Sequence, residues 1–290
     1  MAKRDLPLRV SERGAMTQTA AIVTRTGAIH VEIPSPDTIL MDNVRWGAID
    51  AFPSPAYWQY QVVARRLVGE PARYKLGETL AEEVAACLIG GHGIPAPVGI
   101  AAYERLRKLG AFTGTPPSEE QCERWLREPL QIGRRQVRYR FAGQRARYLA
   151  NALRIVPSAP TFLAGQPLRN WLMQLPGVGP KTASWVARNW MDADDVAILD
   201  IHIVRVGRSI GIFPQDLTVE RHYFDLESLF LRFSQALDVR ASELDAVIWY
   251  EMASSPRMAR VLIDQLRETS TGVNRRRRKQ ENGRSQVTFA

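Results

Sequence analysis

Cysteine is nearly absent. Only Cys87 and Cys122 occur in the 290 residues, and no CxxC pair exists. Two thiols cannot staple a secreted scaffold, and they cannot ligate an iron–sulfur cluster. Histidine is scarce as well, four in all, without an HExxH zinc signature. No apolar run reaches the roughly 20 residues that span a bilayer, and the opening "MAKRDLPLRVSERG" lacks the apolar core of a secretory signal. Together these absences lead us to expect a cytoplasmic protein in a reducing compartment, with no membrane contact and no organic cofactor. Acidic residues fall short of basic ones, 30 against 39, for a formal net charge of +9. Such an excess suits a polyanionic partner, most often nucleic acid, although a solvated basic face gives the same total. Part of it lies in "NRRRRKQENGR" from Asn274, a run of the kind that stays disordered.

What is present reads as mostly α. A polar leader is expected over 1–17 and a basic disordered tail over 271–290, with one domain over 18–270 between them. Thr26-Gly27 breaks a β-branched stretch, which predicts a small hairpin near the N-terminus. Apolar spacing then predicts helices over 58–68, 80–89, 99–109, 136–154, 201–210, 219–237, 242–253 and 256–268. Ser118 with Gln121 reads as a capping box.

The stretch "LPGVGPKTASWVARNW", residues 175–190, carries the chemistry. Gly177, Val178 and Gly179 join two short helices, so that 168–190 reads as a tight helical hairpin. Glycine permits positive φ and close approach to a partner. Pro180 suits a first helical turn. The free amides and positive dipole of that helix start favour a phosphate. A plain turn accounts for the two glycines equally well. Lys181 sits where a lysine loses affinity for its proton, beside a helix N-terminus and apolar side chains. Downstream, the apolar run "VAIL" leads into Asp200. Taken alone, Asp200 is a helix N-cap.

"LPGVGPKTA" followed by "LDIHIVR" resembles the helix-hairpin-helix DNA glycosylase superfamily, most closely its 8-oxoguanine DNA glycosylase/AP lyase branch. That resemblance implies two helical subdomains around a cleft and a partner of double-stranded DNA containing a modified base, bound by a monomer. It implies that Lys181 is a Schiff-base nucleophile, that Asp200 helps deprotonate it and stabilises the cationic sugar, and that His202 lies near a DNA phosphate. It also implies a structural monovalent cation on the backbone carbonyls of Met173, Leu175 and Val178. The chemistry agrees with the residue types: an amine attacking the sugar carbon yields an imine and so permits strand cleavage.

A flipped base needs stacking and edge contacts. Trp185 lies four residues after Lys181, and "ELDAVIWYEMA" places Trp249 where relatives keep a stacking aromatic. Both tryptophans are also ordinary core residues by spacing. Asp245 falls where relatives read the base edge. Its two oxygens match the paired donors of a guanine edge, while "SELD" alternatively closes a helix cap with Ser242. "LIGGHGIPAP" occupies the place of a wedge loop, with His92 as the candidate wedge and without the asparagine and arginine of the eukaryotic branch. The expectation is therefore excision of an oxidised purine, with 8-oxoguanine the first candidate. The alternatives are another modified base, including one in foreign DNA, or a hairpin module that binds DNA without catalysis.

Overall fold

The computed structural model describes residues 16–69, 75–91, 93–255, 257–258 and 260–264. The expected tail over 271–290, the leader as far as residue 15, and His92 lie outside them. Strand pairing begins at Thr17, which faces Pro34 across an antiparallel hairpin of β1 (Thr17–Thr24) and β2 (Gly27–Pro34). Ile22 and Ile33 turn their side chains into the core. A second small hairpin, β3 (Ile39–Met41) with β4 (Val44–Arg45), leads to helix α1 (Pro55–Val68). Ser54 caps α1 by accepting from the Tyr57 amide at 3.0 Å.

Helices α2 (Leu80–Ile89), α3 (Ala96–Lys108) and α4 (Glu119–Arg127) follow. Thr79 caps α2 and Ser118 caps α4. The Ser118 hydroxyl takes the Gln121 amide but donates to Glu120, so only half of the expected capping box forms. The helix expected from Gln136 to Arg154 is shorter than its apolar spacing suggested. "LQIGRRQV" instead makes a hairpin of β5 (Leu130–Ile132) and β6 (Arg135–Val137), turned by Gly133 at φ +56°. Helix α5 (Ala142–Ile155) starts only after Phe141, which holds a left-handed φ of +62°.

Then come α6 (Gly165–Leu172), α7 (Pro180–Met191), α8 (Ile201–Ile210), α9 (Val219–Ala236) and α10 (Ala241–Ser254). The fold is thus mostly helical with small β hairpins, as expected. It has two lobes. The first combines β1, β2 and α1 with α8, α9 and α10 around Trp58, Phe213, Phe230 and Phe233. The second is built from α2 to α7, on Leu106, Leu126 and Leu149 and on the adjoining group of Leu88, Leu168, Leu172 and Val186. Each such fully buried apolar side chain contributes about 1.5–3 kcal/mol. The chain returns to its first lobe between Val196, which packs in the second core, and Ala197, which packs in the first.

Candidate active site

Lys181 and Asp200 flank that crossing. Lys181 lies in the first turn of α7, with Gly179 as N-cap and Pro180 at the first helical position. Its hairpin is shaped by Gly177, whose φ is +80° and whose missing Cβ leaves room for the Tyr148 ring; a Cβ there would lie 2.2 Å from it. Val178 is buried, and its amide donates to the Leu175 carbonyl at 3.1 Å. Asp200 is the N-cap of α8. Its Oδ1 accepts from the amides of His202 at 2.8 Å and Ile203 at 2.9 Å. The capping role considered for Asp200 is therefore real. It occupies one carboxylate oxygen and leaves the other.

His202 lies within electrostatic reach of both charges. Burial pushes its imidazole below the usual range, the Asp200 carboxylate opposes that, and Arg205 and Lys181 reinforce it. At neutral pH the ring is uncharged, so toward a phosphate it is an N–H donor rather than a cation. Its Nδ1 is buried without a hydrogen-bond partner.

Asp245 is only 2% exposed, and its Oδ1 pairs with Arg188 Nη2 at 2.9 Å. Burial pushes its carboxyl up to about 7; Arg188 pulls it down and Asp200 pushes it further up. With one oxygen committed to Arg188, the two-oxygen grip on a guanine edge is not the arrangement held here. The buried Oδ2 alone remains unpartnered. Nor does Asp245 close a cap with Ser242, because α10 starts at Ala241 after Arg240 and the Ser242 amide donates to Asp194. Trp185 is half-buried against the second lobe, and its ring approaches Gly90, where a Cβ would lie 3.5 Å away. Trp249 is 41% exposed on α10. No ring contact joins the two among the described residues.

Two features escaped the sequence. Phe141 is half-exposed, holds its positive φ, lies beneath the Arg140 guanidinium at 4.9 Å and borders Gly93 of the expected wedge loop. A bulky residue with φ > 0 marks a strained position, but a dihedral leaves no trace in the residue pattern. On α9, Tyr223 and Glu227 reach the backbone of the segment before Asp200. Their spacing of four places them on one helix face, which was the only available hint.

Against known families, the model of the Ogg-HhH 8-oxoguanine DNA glycosylase family matches residues 73–239. The chain belongs to this family. The matched region of the glycosylase family takes in Lys181, Asp200, Tyr223 and Glu227 and stops short of Asp245 and Trp249. Two archaeal proteins named 8-oxoguanine DNA glycosylase/AP lyase are similar. The one from Methanocaldococcus jannaschii is 33% identical over 131 residues, 43% of this chain and 62% of its own length. The one from Metallosphaera sedula is 30% identical over 147 residues, 49% of this chain and 72% of its own. The chain therefore spans less than two thirds of the Methanocaldococcus protein. Among solved structures, the Methanocaldococcus jannaschii 8-oxoguanine DNA glycosylase is 27% identical with a TM-score of 0.48, covering 61% of this chain and 78% of its own. The same glycosylase in complex with a 15mer DNA containing 8-oxoguanine gives the same identity and score, with 81% of its length covered.

Proposed function

We propose that the protein is a DNA glycosylase and AP lyase that excises an oxidised purine, 8-oxoguanine, through a Schiff base on Lys181. One observation carries this: the hairpin helix start presents Lys181 and a helix N-cap presents Asp200 on either side of the lobe crossing, with one Asp200 oxygen left outside the cap. Membership of the glycosylase family and the names of the archaeal relatives support the same reading.

In this mechanism the Lys181 amine forms a bond to the sugar C1′. The glycosidic bond breaks, and its electron pair leaves with the base, which takes up a proton. The free oxygen of Asp200 faces the positive charge that builds on the sugar. Ring opening gives the imine, and loss of a C2′ proton then expels the 3′ phosphate. Trp185 and Trp249 are the stacking candidates. Phe141 and its neighbouring arginines form part of the duplex-facing surface. The hairpin carbonyls of Met173, Leu175 and Val178 are neutral oxygens suited to a monovalent cation, with Leu175 already accepting from Val178. A cation held there would offset phosphate charge.

Borohydride added during turnover on an 8-oxoguanine duplex should trap a covalent protein–DNA adduct. Lys181→Gln should abolish it; a variant that traps as well as wild type refutes the assignment.

A further inference from the structure

The segment Val196–Leu199 is buried yet belongs to no strand. Its backbone groups must therefore find partners outside a sheet. Helix α9 provides them. The Tyr223 hydroxyl donates to the Ala197 carbonyl at 2.6 Å and lies 3.4 Å from the Leu199 amide. Glu227 Oε1 accepts the Ala197 amide at 3.0 Å, so both polar groups of Ala197 are held by one face of α9. The same oxygen lies 3.4 Å from the Ser184 hydroxyl, one turn beyond Lys181 on α7. The other oxygen, Oε2, is ion-paired with Arg169 of α6 at 2.7 Å. A single carboxylate oxygen is thus where the lysine-bearing helix and the aspartate-bearing segment meet. Satisfying the buried backbone of Ala197 accounts for the Tyr223 and Glu227 contacts to it; the Arg169 pair adds little stability of its own, because a buried ion pair is often replaced by apolar side chains without loss.

We propose that Tyr223 and Glu227 are positioning residues that set Asp200 against Lys181 across the junction of the two lobes. This rests on the glycosylase reading above. Asp200 follows Ala197 by three residues, and its own amide is turned back on the Ile198 carbonyl at 2.7 Å. Holding Ala197 therefore sets where the start of α8 sits, and the carboxylate, pinned to the first amides of that helix, moves with it. Burial pushes the Tyr223 phenol up, which keeps it a donor at any working pH.

The test is single-turnover excision from an 8-oxoguanine duplex by the full chain. Tyr223→Phe, which deletes one oxygen, should slow excision roughly 10- to 100-fold, the cost of a small misplacement of a reacting group, with duplex affinity unchanged. In an Asp200→Asn background the same substitution should add nothing, because the two act as one unit. Slowing by an equal factor in both backgrounds, or wild-type excision by Tyr223→Phe, overturns the inference. Ser184→Ala provides a second test on the α7 side and should also slow excision; if Tyr223→Phe does not fold, a full-rate Ser184→Ala overturns the inference. Wild-type excision by Asp200→Asn overturns the glycosylase assignment of Asp200 itself. A slow Asp200→Asn beside a full-rate Tyr223→Phe removes only the positioning role.

Discussion

Asp245 shows how one residue can answer to several constraints. Its carboxyl is pushed from the ordinary 3.8 up to about 7 by burial, with Arg188 opposing and Asp200 and Asp194 adding to the rise. The folded value lies above the unfolded one, so the folded state holds this proton more tightly. The stability it contributes is present at low pH and is lost as pH rises through about 7. Asp245→Asn removes that titration. The thermal midpoint of wild type minus that of the variant should fall between about pH 4 and pH 7, the window set by the unfolded and folded values. A difference that stays constant across the window refutes the shift. Phe141 poses the opposite case, an exposed ring kept in a costly backbone conformation. Phe141→Gly relieves that conformation and removes the ring. It should hold or raise the thermal midpoint while weakening duplex binding by about 1–3 kcal/mol, the value of a base–aromatic stack. Unchanged binding would make Phe141 a bystander.

At the scale of elements, the hairpin between α6 and α7 is tightly constrained at Gly177. Gly177 needs both its positive φ and its missing side chain, since Tyr148 of α5 fills the space. Gly177→Ala should cost at least about 2 kcal/mol from the left-handed conformation and the overlap combined, read as a lowered denaturation midpoint. A midpoint within error of wild type contradicts the packing described. The hairpin itself was legible from residues 175–190, because glycine, proline and a following apolar period are local signals. Asp200 was legible as a helix start for the same reason. The α9 contacts to Ala197 were not, since residues 223 and 227 meet residue 197 only after the chain has folded back. The β5–β6 hairpin was missed because its arginines and apolar residues continue the helical spacing of α5.

At the scale of the molecule, two cores meet along a polar seam. Arg169 with Glu227, Arg188 with Asp245, and Arg240 with Asp192 and Asp194 all bridge from the second lobe or its exit to the first. The first two pairs are buried, and they border the segment that carries Asp200. The net charge of +9 belongs to the whole chain. Binding to undamaged duplex should weaken steeply with salt, with a log–log slope of about −0.9 for each phosphate neutralised. A flat profile in a titration at several ionic strengths excludes the duplex backbone as the electrostatic partner.

The sequence by itself determined the helical class, the hairpin, and the identity and order of Lys181 and Asp200. Each depends on residues close in the chain, where periodicity, capping and turn chemistry act. Tertiary structure decided that Asp245 spends an oxygen on Arg188, that Phe141 stands exposed beside the loop at Gly93, and that Ala197 hangs from Tyr223 and Glu227. The physical reason is shared. A buried charge or backbone group must be satisfied by whatever side chain the packing of distant elements brings to it. No local pattern specifies which one that is.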